Sequence, residues 1–180
     1  MKSTHQINVA FIFIFILVIG CKTESKKEIN TIDTETKEMR ESSPRVLVYD
    51  YSDKETNKMF INYFKLKDGF VQSNPVLVQK AALAFASVTT DKNKDLKQLV
   101  EDIAALDDLE AQRALFAQLT IQLEPLLKEK LLSGIIYKQY CPMAFNNNGG
   151  FWFSEKEEIE NPYFGDKMLH CGSITEKIGK

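Results

Sequence analysis

Residues 59–71 read MFINYFKLKDGFV, and the spacing of their apolar side chains decides the fold class. Met59, Phe60, Tyr63, Phe64, Leu66, Phe70 and Val71 recur mostly three or four positions apart, which gathers them on one side of a 3.6-residue helix. Asp53 or Thr56 is placed to cap the start of this helix, and Gly69 weakens its end. Asn74-Pro75 then pairs a capping residue with proline at the first helical position. The helix it opens carries Val78, Ala81, Ala82, Phe85 and Val88, and its alanines let a neighbouring backbone come close. After a polar turn over 89–94, Leu96, Leu99, Val100, Ile103 and Ala104 mark a third, shorter helix. Asp107 or Asp108 caps a fourth, which carries Leu109, Arg113, Phe116, Leu119, Thr120 and Leu123.

Pro125 lacks an amide hydrogen and is expected to kink or end the fourth helix. Leu126, Leu127, Leu131 and Leu132 continue the packed face, and Gly134 closes the region. Arg113 reads as a surface residue, solvated or paired with a nearby carboxylate. Upstream, RVLVYDY at 45–51 is an edge strand or an extended lead-in. The expected fold is mainly α: a three- or four-helix antiparallel bundle over 45–134 with a small irregular or β-hairpin cap over 135–180, both in one compact domain.

The chain ahead of the bundle has another character. Of the first 20 residues only Lys2 is charged, and 9–20 read VAFIFIFILVIG without a polar side chain. An apolar run of about 10–14 residues is short for a spanning helix and fits the core of an export signal. The boundary LVIGC, with small Gly20 before Cys21, resembles a bacterial lipobox, whose cysteine takes a diacylglycerol thioether and becomes the first residue. Buried acyl chains contribute roughly 0.8 kcal/mol per CH₂, enough together to hold a protein at a membrane without a spanning helix. Lys22 follows Cys21 where an aspartate would suggest inner-membrane retention, which favours the outer membrane, facing the periplasm. Residues 21–44 are polar and charge-mixed; they cannot bury enough surface to offset their ordering entropy and read as a tether.

Without residues 1–20 and their Lys2, 22 basic side chains stand against 25 acidic ones, a net charge of -3. That balance excludes the basic footprint of a nucleic-acid-binding protein. The length excludes a multi-domain machine.

Beyond Gly134 the helical period is lost. Asn148-Gly149-Gly150 reads as a turn between extended arms at 137–145 and 151–154, and Asn161-Pro162 marks a second turn. Two sulfur-rich clusters bracket the cap, Cys141-Pro142-Met143 and Met168-Leu169-His170-Cys171. Cysteine and methionine sulfur suit copper(I), and cysteine with histidine suits zinc, although neither cluster has zinc-finger spacing. A disulfide is the plain rival. With Cys21 lipidated two thiols remain in an oxidising compartment, and joining them closes a loop of about 30 residues worth roughly 2–4 kcal/mol. Inert buried thiols are the third reading. The methionines, set among aromatics, also read as packing residues.

This tail is similar to the C-terminal signature of domain of unknown function 3347, a family of exported proteins. The match is carried by Tyr137, Tyr140, Cys141, Pro142, Met143, Ala144, Gly149, Trp152, Ser154, Asn161, Pro162, Tyr163, Gly165, Met168, Leu169, Cys171 and Gly172. The helical part adds an Arg-x-x-Phe step at Arg113 and Phe116, so the resemblance covers about 59–178. It implies Cys141, Met143, Met168 and Cys171 as ligands of copper or a similar metal, with His170 the least secure of the set. It also implies heavy-metal efflux components as partners.

Taken together, these expectations describe a lipid-anchored envelope protein that binds a soft metal ion, copper(I) or zinc, for buffering or delivery. The alternative is a metal-independent structural or adaptor lipoprotein with a Cys141–Cys171 disulfide. In the metal reading, Tyr140, Trp152, Tyr163 and Phe164 would wall the site. Enzymatic chemistry is not expected. Asp107, Asp108 and Glu110 look like helix-start residues, Glu155, Glu157, Glu158 and Glu160 like a solvated face, and no CxxC pair is present.

Overall fold

The computed structural model describes residues 49–179; the expected export signal, the expected lipidation at Cys21 and the expected tether lie outside them. Four helices follow one another: α1 Lys54–Val71, α2 Pro75–Val88, α3 Lys94–Ala105 and α4 Leu109–Lys130. Their starts are set as the sequence suggests. Asp53 accepts from the Thr56 amide at 2.8 Å, Asn74 from Val76 and Leu77 at 3.1 Å, and Asp108 from Ala111 at 2.7 Å. Each helix packs on the next, and α1 also meets α4. Gly69 has a packing role beyond helix termination: a Cβ there would lie 3.1 Å from the Val78 nitrogen, so its absence lets α2 press against α1.

Pro125 does not end α4, because the helix runs on through it to Lys130. Pro125 and Ile121, whose carbonyl loses its amide partner, are both exposed, so water can take up the freed oxygen. The helical face does not extend to Leu131 and Leu132. These residues form strand β2, Leu131–Ser133, which pairs antiparallel with β1, Asp50–Tyr51. The lead-in at Tyr51 is therefore an edge pairing, stacked on Phe60 with ring centroids 5.0 Å apart.

The tail makes a three-stranded antiparallel sheet in the order β4-β3-β5, from β3 Ile135–Cys141, β4 Gly150–Ser154 and β5 Ser173–Gly179. The expected hairpin is present, but its first arm stops at Cys141, opposite Gly150. The connection includes a left-handed turn in which Phe145, Asn146 and Asn147 have φ of 52°, 57° and 66°. Asparagine tolerates that region; Phe145 is held there with its ring edge-on to Tyr163 at 4.9 Å.

Helices and tail share one core. Tyr63 sits at the junction, with its ring against Phe116 of α4 and Phe153 of β4. Its hydroxyl lies 3.0 Å from that of Thr120 and accepts the Phe153 amide at 3.1 Å. Burial drives the Tyr63 phenol well above its ordinary pKa, so it stays a neutral hydrogen-bonding group. Among the described residues no helix is long and apolar enough to cross a membrane.

Candidate functional site

Alternation along β3 assigns its side chains to two environments. On one side Lys138 reaches α4, donating to Glu124 at 2.7 Å. On the other side Gln139 and Cys141 face the loop that leads from β4 to β5. The Gln139 amide nitrogen lies 2.9, 3.3 and 3.0 Å from the carbonyl oxygens of Lys156, Glu157 and Glu158, so a buried side chain gathers one bend of that loop.

Asn161 organises the far end. Its backbone N–H donates to Leu169 O at 2.7 Å, and its side-chain oxygen accepts from Tyr163 N at 2.8 Å and Phe164 N at 3.3 Å. Its amide nitrogen donates to Cys171 O at 2.8 Å. The Asn161-Pro162 turn is thus also a clamp on the backbone of the second cysteine. Gly172 completes the placement. At φ 150°, a Cβ there would come within 2.9 Å of Tyr140 O and 3.1 Å of the Trp152 ring, a passage only glycine can make without displacing one of them.

These constraints bring Cys141 and Cys171 together, with their sulfur atoms 3.0 Å apart. Both are thiols; Cys141 is completely buried and Cys171 is partly exposed. The neighbouring Cys141 sulfur first, and burial second, push the Cys171 thiol above its ordinary pKa. Close approach of the two sulfurs therefore disfavours the Cys171 thiolate while its side chain faces Cys141.

The other candidate ligands are placed differently. Met143 is 45% exposed and lines a surface groove with Glu110, Phe145 and Phe164. Met168 is half-buried one turn before Cys171, whose N–H donates to Met168 O at 3.0 Å. His170 is exposed, and its Nδ1 lies 2.9 Å from Ile159 O. As a donor to that carbonyl, Nδ1 carries the hydrogen and leaves Nε2 as the acceptor. Among the described residues, no three or more histidine, cysteine, aspartate or glutamate side chains gather as a metal-holding group. Trp152 and Tyr163 are core residues, while Tyr140 and Phe164 are half-buried.

Several polar groups in and around this region are buried with no sequence signal of that burial. Arg113, expected at the surface, is 2% exposed. Its Nε donates to Pro162 O at 2.9 Å, its Nη2 to Phe70 O at 3.3 Å and Ser73 Oγ at 3.2 Å, and its Nη1 pairs with Glu110 at 2.6 Å. The expected carboxylate partner exists, but the guanidinium is a rivet joining α1, α4 and the loop that carries Cys171. Lys67 is fully buried, 2.9 Å from Asp68 and 4.0 Å from Glu160. It is aligned to donate to neither, and Glu155 Oε2 and Tyr51 Oη are likewise buried without partners. The face expected to be solvated therefore includes one inward carboxylate, Glu155. Burial, reinforced by Asp68 and opposed by Lys67, raises its pKa.

The family model described as "Protein of unknown function (DUF3347)" matches residues 59–133. The match runs from within α1 to β2 and stops short of the cysteine-bearing tail. No curated protein and no solved structure matches the chain.

Proposed function

We propose, for a chain whose residues 59–133 belong to the family of unknown function 3347, a role as a lipid-anchored envelope adaptor. In this reading the four helices form an antiparallel bundle, and the tail is locked to it by a Cys141–Cys171 disulfide. The observation that carries the proposal is the 3.0 Å approach of two sulfurs from opposite ends of the tail. A disulfide of about 2.05 Å needs them to close by roughly 1 Å. The elevated Cys171 thiol and the complete burial of Cys141 both suit a structural bond better than an open ligand pair. The outward side of α2 supports a protein partner: Val76 and Leu83, seven residues apart, are 54% and 60% exposed. An efflux component of the envelope is the partner class implied by the family resemblance. Anchoring through Cys21, at the outer membrane and facing the periplasm, belongs to the same proposal.

The test is thiol counting on protein isolated from the envelope, with and without reductant. The adaptor reading expects two additional thiols to appear on reduction, and partner capture that survives chelation.

A second reading, copper(I) or zinc held by the reduced pair, draws on Met168 lying one turn before Cys171 and on the free Nε2 of neighbouring His170. With metal–sulfur bonds of about 2.3 Å at a tetrahedral angle, the two sulfurs must separate to roughly 3.8 Å. Anaerobic titration of reduced protein decides it: stoichiometric uptake abolished by Cys141→Ser would replace the disulfide reading with a metal-buffering one.

A further inference from the structure

The two sulfurs are unequal in access, and that inequality gives the pair a direction. Resting on the disulfide reading above, we propose that Cys171 is the entry thiol through which the tail is oxidised, and that Cys141 is the resolving thiol. The oxidant is an exposed disulfide on a thiol–disulfide exchange partner.

Cys141 ends β3, is paired across to Gly150, and has no exposed surface. An incoming disulfide can reach it only if that end of the sheet opens. Cys171 lies at the surface between exposed His170 and exposed Ser173. Its main chain is fixed by the Asn161 amide on its carbonyl and by its own N–H on Met168 O. Gly172, wedged between Tyr140 O and Trp152, fixes the next link. With the backbone held on both sides, only the side chain of Cys171 need turn between solvent and Cys141, 3.0 Å away.

In the first step Cys171 turns away from Cys141, gives its proton to solvent and attacks, as thiolate, one sulfur of the partner's disulfide. A Cys171–partner bond forms, the partner's S–S bond breaks, and its second sulfur leaves as a thiolate. In the second step the Cys141 thiolate attacks Cys171 Sγ. The Cys141–Cys171 bond forms, and the partner's remaining sulfur leaves. The tail loses two electrons and two protons, and the partner disulfide becomes a dithiol.

The experiment uses full-length protein carrying Cys21→Ser, reduced and exposed to glutathione disulfide, with mass spectrometry of quenched samples. In this background Cys141→Ser should accumulate one stable glutathione adduct at Cys171. Cys171→Ser should be modified at Cys141 at least about tenfold more slowly, and lose that protection in denaturant. Timed alkylation of the reduced two-thiol protein gives the same order without a tail mutation: Cys171 first, Cys141 last. Equal rates, or faster reaction at Cys141, overturn the assignment. If the two-thiol protein reacts at Cys171 first but never reaches the internal disulfide, the disulfide reading fails while the access order stands.

Discussion

Arg113 spends its guanidinium on three parts of the chain that are distant in sequence. Phe70 O and Ser73 Oγ belong to the end of α1 and its exit, Pro162 O to the tail loop, and Glu110 to the first turn of α4. The ion pair is a small part of its value, since Glu110 is 71% exposed and screened by water. The hydrogen bonds to buried carbonyls matter more, because their loss leaves acceptors without donors away from solvent. Arg113→Met should therefore destabilise by about 3 kcal/mol or more, read as a lower urea midpoint. Arg113→Lys should recover little of this, because a single ammonium cannot serve the separate directions of the fork. If Arg113→Lys matched the parent, charge rather than directional bonding would be the residue's contribution.

At the scale of single elements, α4 and the acidic loop give opposite lessons. Proline within a helix costs about 3 kcal/mol relative to alanine, and its restriction of the unfolded chain returns at most about 1 kcal/mol. Since α4 continues through an exposed Pro125, Pro125→Ala should stabilise by at least about 1 kcal/mol in chemical denaturation. The loop over 155–160 instead carries a carboxylate whose charged form burial penalises. Glu155 faces Lys67 and Asp68 of α1, Lys156 of its own loop and the phenols of Tyr49 and Tyr51. Its folded pKa lies above the unfolded value, so the protonated form suits the fold. That contribution is fully present below the unfolded pKa and is lost as pH rises through the folded one. Glu155→Gln mimics the protonated form. The stability of the parent relative to this variant should thus improve as pH falls from 7.5 to 5. The check is paired denaturant midpoints at the two pH values; an unchanged difference would show that Lys67 already compensates the carboxylate.

Across the whole molecule, legibility followed periodicity. The four helices and three of their caps could be read because apolar spacing and Asp53, Asn74-Pro75 and Asp108 act locally. The approach of Cys141 to Cys171 was readable only as one pairing among alternatives, because it depends on contacts made across the fold. Gln139 and Lys67 left no trace, and Asn161 was legible as a turn residue but not as a clamp on Cys171. Each is a polar residue buried by contacts made across the fold rather than by its local sequence. The left-handed turn at Phe145 was hidden for the converse reason, since phenylalanine does not advertise a positive φ.

The same interdependence bears on the boundary at residue 133, where the family match ends. Ile136, Trp152, Phe153, Tyr163 and Ile178 all lie beyond it, and all are buried in the core that Tyr63 and Phe116 share. Burial of a large apolar side chain contributes about 1.5–3 kcal/mol, so losing these five removes on the order of 10 kcal/mol. A domain of this size has a net stability of only about 5–15 kcal/mol. A chain stopped after Gly134 would also leave the Arg113 guanidinium without Pro162 O, and the Tyr63 hydroxyl without the Phe153 amide. It should keep helical circular dichroism but lose a cooperative thermal transition and bind a hydrophobic dye. A sharp two-state melt in that shortened chain would show that the helices are a domain in their own right, with the cysteine-bearing tail an appendage rather than part of the core.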